Sequence, residues 1–258
     1  MQKRTLIVVG AVAAAVVAVA AIVCADPDLR SQALLTVAPA KFREGALSRF
    51  SGTSGEQVYV QGTIGGRHLS HGDYSLAHLR ALILRLKPDV VLVEASPEAL
   101  ARDDLSDGPL EAGYAALAAR EAGSYVLGYG LRPDEAGEIG GDEARTDALF
   151  ANAAGALAGH RKVLVLVDVA VAPGFADRLR TLGFSRAGFA ASDKAAMFDL
   201  TGVDRAYPAG LAAHAQRRLA ADRRALKAAT DREARGRLQD DISGRLALLK
   251  AIGRADGA

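Results

Sequence analysis

Four polar side chains in this sequence have the types and spacing for chemistry: His68, His71 and Glu94, with Asp168 further along. Two imidazoles three residues apart and a carboxylate could share a metal ion or pass a proton, because imidazole nitrogen and carboxylate oxygen serve both purposes. Gly62 and Thr63 precede the histidines as a turn that could approach a ligand closely. Arg67 could pair with Glu94, and Arg132 and Arg145 could bind an acidic ligand. Each group also has a plain structural use. Loop histidines are commonly just solvated, Glu94 could cap the helix that follows it, and a carboxylate such as Asp168 at the end of a buried strand often accepts backbone hydrogen bonds. Several chemistries are excluded. The run Gly62-Thr63-Ile64-Gly65-Gly66 lacks the lysine of a phosphate-binding loop and the spacing of a dinucleotide fingerprint, and the chain has neither HExxH nor GxSxG. Its single cysteine, Cys24, rules out an intramolecular disulfide and a thiolate zinc knot.

The elements that must position these residues lie in one stretch, Val58 to Glu94. Val58, Tyr59 and Val60 read as a strand, and Val90 to Val93 as a second strand whose unbroken apolar run suits a parallel sheet covered on both faces. Between them Ser75 is an N-cap, Leu76, Leu79, Leu82, Ile83 and Leu86 follow helical spacing, and Pro88 ends the helix. This is a βαβ unit, with the polar turn and Glu94 at the carboxyl ends of its strands, where open α/β sheets collect their functional groups.

Further strands are predicted at 124–129 and 163–169, the second bearing Asp168, with helices at 97–102, 110–121, 142–158 and 173–182. The alternation predicts an α/β fold with a mostly parallel sheet covered by helices. From about residue 211 a C-terminal helical extension follows, whose apolar stripe is Leu238, Ile242, Leu246, Leu249 and Ile252, with Arg245 elsewhere on the helix. Residues 183–208 read as less regular. Residues 26–55, with Pro27, Pro39 and the run Ser51-Gly52-Thr53-Ser54-Gly55, read as a linker with one short helix around 42–50, so the α/β domain is expected over 56–258.

Residues 1–25 are expected to be a signal segment or an uncleaved membrane anchor. Lys3 and Arg4 precede an apolar run over residues 5–25, which as a helix would be roughly 30 Å long and would place the rest of the chain outside the cytoplasm, in the periplasm or the extracellular space. A net charge of +2, with no basic run interleaved with aromatics, argues against a nucleic-acid partner.

The turn and the two strand ends resemble the TraB/GumN-like group of the Tiki, erythromycin-esterase and ChaN-like superfamily. The likeness rests on Gly62-Thr63-Ile64-Gly65, Tyr74-Ser75-Leu76, Pro88-Asp89 and Val93-Glu94, and on the stretch from Asp168 through Pro173-Gly174-Phe175 to Gly183. It spans roughly residues 57–185. The resemblance implies metal-dependent hydrolysis, yet Gly65 and Val171 stand where the family carries histidines, and neither has a side-chain donor. Two readings follow. The first is a binding or interaction module without cofactor that has lost catalysis and takes a protein or small-molecule ligand. The second is a hydrolase with a rearranged site of His68, His71 and Glu94, which alone would call for a divalent metal.

Overall fold

The computed structural model describes residues 38–105, 108–132 and 142–255. The chain divides into two compact units, Met1–Arg43 and Glu44–Ala258, and the second carries the sheet. The first described element is a short helix, α1 (Pro39–Gly45). It is followed by β1 (Leu47–Ser51), β2 (Gln57–Thr63), α2 (Leu76–Leu86), β3 (Val90–Val93), α3 (Pro97–Ala101), α4 (Leu110–Glu121) and β4 (Tyr125–Gly128). After these come α5 (Asp142–Gly159), β5 (Lys162–Asp168), α6 (Ala172–Thr181), β6 (Ser185–Ala187), α7 (Ala191–Met197), α8 (Leu211–Ala228) and α9 (Arg232–Ala255).

Six strands form one sheet in the order β4-β3-β5-β2-β1-β6. β4, β3, β5 and β2 are mutually parallel, while β1 runs antiparallel to both β2 and β6. The protein is therefore α/β with a mostly parallel sheet, as the alternation of patterns predicts. The register puts Thr63 level with Asp168 and Val93 level with Gly128, so all four parallel strands end at one edge.

Strand alternation decides which side chains face which layer. Val58 and Val60 of β2, Val90 and Leu92 of β3 and Val163, Val165 and Val167 of β5 share one face, where they pack with Leu149, Phe150, Ala153 and Leu157 of α5 and with Phe175 and Leu179 of α6. Phe150 meets the Phe175 ring edge-on at 4.9 Å. The other face belongs to α2 and α4, which pack against each other, with α4 also against β3 and β4. Right-handed crossovers require this split: β2 to β3 to β4 steps one way along the sheet and β4 to β5 to β6 steps back. α2 starts as expected at Ser75, whose backbone N–H donates to His78 Nδ1 at 3.1 Å, and ends at Lys87 before Pro88.

The structure corrects several expectations. Residues 5–25, read as a membrane span, lie outside the described residues, and among the described residues no helix is long and apolar enough to cross a membrane. The transmembrane-helix and signal-anchor reading is thus unsupported. The helices with the length for it, α5, α8 and α9, carry charges, including Glu143, Arg145 and Asp147 on α5, Arg217, Arg218, Arg223 and Arg224 on α8 and Asp240, Asp241 and Lys250 on α9.

The stretch read as linker contains β1, because Leu47 and Phe50 are fully buried and join the strand to the sheet; the short helix ends at Gly45. The stretch read as irregular contains β6 and α7. On α9 the buried face is Arg245, Leu248 and Ile252, and Leu246 is 43% exposed. The apolar stripe misplaces this face because Gly244 comes close to Gly66 and Arg245 turns inward to a buried acid.

Candidate site at the carboxyl edge of the sheet

The helices change faces of the sheet after β4, with α2 and α4 on one face and α5 and α6 on the other. The chain leaves β2 and β3 toward one face of the sheet and leaves β5 toward the other, so Asp168, the last residue of β5, sits at a topological switch point, where open α/β sheets tend to bind ligands. Asp168 is half-buried, and its Oδ1 accepts the Ala170 backbone N–H at 2.8 Å.

On one side of Asp168, Glu94 follows β3 and pairs with Arg145 of α5. The Glu94 side chain is only 12% exposed, and burial holds its carboxyl above its ordinary value against the pull of Arg145, with Asp168 adding to the rise. Tyr129 anchors the floor of this side, donating from its hydroxyl to Leu166 O at 2.7 Å. Gly108 and Gly130 press against the backbone of Glu94 and Ala95, so the Glu94 loop is held from below by main chain.

On the other side lies a residue that the sequence reading missed. Glu111, in the first turn of α4, is 2% exposed, and its Oε2 has no hydrogen-bond partner among the described residues. Burial pushes its carboxyl up to about 7, and Asp168 and Glu94 push the same way, while its own backbone N–H and the Thr63 hydroxyl favour the ionised form. Thr63 donates its hydroxyl hydrogen to Val167 O at 3.2 Å. A signal for Glu111 does exist: it is the only charge in the run from Pro109 to Ala119. Alternation cannot tell such a residue from an ordinary helix-start acid.

The histidines are placed differently. His68 lies in a 3-10 turn, Gly65–Leu69, and is buried. Its Nδ1 donates to Tyr74 O at 2.8 Å and its Nε2 accepts the Ile64 N–H at 3.3 Å, so both ring nitrogens serve the backbone. Burial lowers its pKa to about 3, which keeps the ring neutral. The turn is tied down further by Tyr74, whose hydroxyl donates to Gly62 O and accepts from Gln61 Nε2 at 2.5 Å. His71 is half-buried in the next turn, and its imidazole makes no hydrogen bond among the described residues. The groups that act on Glu94 are Arg145 and Asp168 rather than either imidazole.

Arg67 is exposed and donates from Nε to Ile64 O at 3.4 Å, away from Glu94, and Arg132 is exposed. Gly65 has φ +58°, a conformation that suits glycine, and Val171 is buried at the start of α6. Among the described residues, no three His, Cys, Asp or Glu side chains are placed to hold a metal ion. The donor set therefore does not fit the metal that the family resemblance implies: Gly65 and Val171 offer no donor, and His68 has spent both of its nitrogens.

An open depression at the opposite, amino-terminal edge of the strands is lined by Lys87, Asp89, Tyr125, His160 and Arg161. None of the groups described above reaches it.

Fold and edge together define a doubly wound α/β domain with an acidic site where its helices change sides. Compared with protein-family models, with curated proteins and with solved structures, the chain matches none.

Proposed function

We propose that this chain is a non-catalytic binding module, built on the plan of the TraB/GumN-like proteins it resembles, that takes a small ligand at the carboxyl edge of its sheet. The observation that carries this reading is the set of three carboxyl groups around the switch point, Glu94, Asp168 and Glu111, the last of them buried with one oxygen that has no hydrogen-bond partner among the described residues. A buried polar atom left without a partner costs about 1–3 kcal/mol, which a purely structural edge would have little reason to keep. Binding is favoured over the rearranged hydrolase because that hydrolase needs His68 as a ligand or base. Freeing the ring would break its bonds to Ile64 and Tyr74.

Thermal melts of the full chain against a panel of amines, guanidines, dicarboxylates, sugars and nucleotides test the reading. A ligand at about a hundredfold over its dissociation constant stabilises by about 2.7 kcal/mol. For a chain of this size that is a rise of roughly 5–10 °C. The expected result is a saturable rise with one chemical class, reduced in Asp168→Asn, and unchanged ligand recovered at the end. A melt that no class moves, or a bound compound recovered as cleaved product, overturns it.

A further inference from the structure

The charges at the edge do not balance. Arg145 answers Glu94, but Asp168 has no ion-pair partner among the described residues, and Glu111 has none either. Among the described residues Arg145, already paired with Glu94, is the cation that acts on Asp168, and none forms an ion pair with Asp168 of β5 or Glu111 of α4, the two carboxyls that flank this end of the sheet beside Thr63. The carboxyls do not converge on one point as ligands of a metal ion must. Separated acids suit a cation that is itself extended and can form directed hydrogen bonds.

We propose that this edge binds an organic cation, an ammonium or guanidinium group carried on a small molecule, with Asp168 as its ion-pair partner and Glu111 behind it losing its proton to solvent on binding. This rests on the binding-module reading and names the ligand class for the same site. The pairing of Arg145 with Glu94 shows a guanidinium already accommodated one strand away. The charged groups acting on Glu111 are Asp168 and Glu94, both carboxyls. Before binding they oppose its ionisation, and an arriving cation reverses the sign of the local field. No other co-reactant is needed, since the O–H bond of Glu111 breaks and the proton passes to buffer.

The test is calorimetric titration of the full chain with 1,4-diaminobutane and with methylguanidine at pH 7, each in two buffers of different ionisation enthalpy. Succinate and glucose serve as anionic and neutral controls at matched ionic strength. Saturable heat is expected with a cation and not with the controls. The buffer dependence should report about 0.5 proton released per chain, because a carboxyl titrating near 7 is half protonated there. Asp168→Asn should weaken binding about tenfold or more. Glu111→Gln should abolish the proton release and weaken binding about fivefold or more at pH 7, because the neutral amide cannot ionise toward the cation, and circular dichroism melts confirm that both variants are folded. Cation binding that Asp168→Asn leaves intact overturns the assignment. If succinate or glucose binds and the cations do not, the ligand class is wrong and the binding module survives. If nothing binds here or in the wider panel, both fall.

Discussion

Thr63 and Glu111 meet across the end of β2 and the first turn of α4, and the only hydroxyl hydrogen of Thr63 is already given to Val167 O at 3.2 Å. Burial, with Asp168 and Glu94 adding to it, outweighs the help of Thr63 and of the Glu111 backbone N–H to the ionised form, and the carboxyl is pushed up to about 7 from its ordinary 4.5. The folded chain then holds a proton that the unfolded chain has lost between those two values. Stability should fall as pH rises from about 4.5 to 7 and level off above.

Glu111→Gln removes that titration while keeping shape and a donor. At pH 5 the variant should match the parent closely. At pH 8 it should be more stable by roughly 3 kcal/mol, the free energy of a shift of this size. Urea unfolding at the two pH values measures it. A variant less stable than the parent at pH 8 would show that the carboxylate form has a partner the geometry does not reveal.

His68 has the opposite sign. Its ring stays neutral down to about pH 3 in the fold but takes a proton near 6.5 when unfolded. Stability is therefore lost as pH falls below 6.5, by about 1.4 kcal/mol per unit. Between about 4.5 and 6.5 the Glu111 and His68 slopes oppose each other, so the parent should be nearly flat in pH there and Glu111→Gln should fall steeply. His68→Ala should lose about 2–4 kcal/mol at pH 7, since Tyr74 O and Ile64 N–H are left unmet, and should lose the acid slope with it. An acid slope that survives in His68→Ala would assign it to another group.

The parallel core was legible in the sequence because both faces of β3 and β5 are covered, so Val90 to Val93 and Val163 to Val167 are continuous apolar runs that few other structures allow. Local chemistry set helix ends just as plainly at Ser75 and Pro88. β1 was not legible: in Leu47-Ser48-Arg49-Phe50-Ser51 only two residues are apolar, and glycines follow. β6 is three residues long and largely exposed. Glu94 and Asp168 stood out because strand ends are readable. Glu111 and Arg245 did not, since a charge on a helix is read as solvated until tertiary contacts show what it faces.

Arg245 illustrates what such a contact is worth. Its Nε donates to Asp222 Oδ2 at 2.8 Å in the seam between α8 and α9, where Asp222 is 2% exposed and also accepts from Arg218 Nε at 2.7 Å. Arg245→Ala removes one of two cations from a buried acid. It should cost about 3 kcal/mol, the lower end for breaking a buried pair, because Arg218 remains. Arg245→Met with Asp222→Leu should recover part of that loss. Chemical denaturation of the three proteins decides; a double variant weaker than Arg245→Ala would mean that the pair, and not its burial, holds the seam.

Gly108 joins this seam to the candidate site. Its carbonyl accepts from Arg245 Nη2 at 3.1 Å, its φ is +81°, and a Cβ placed on it would lie 2.1 Å from Glu94 O. The last contact is to backbone, which cannot swing aside as a flexible side chain would. Gly108→Ala must therefore push the loop at Glu94 away, in addition to straining a left-handed conformation that costs about 1–2 kcal/mol in L-residues. The displaced loop carries the carboxylate that Arg145 holds. Gly108→Ala should lower the melting temperature and weaken any ligand bound at the edge. Gly123→Ala, at φ +78° but with nothing within 4 Å of its Cβ, should lower the melting temperature alone. Melts and ligand titrations of both variants separate strain from displacement: equal ligand affinity in the two would show that the Glu94 loop does not depend on the close approach of Gly108.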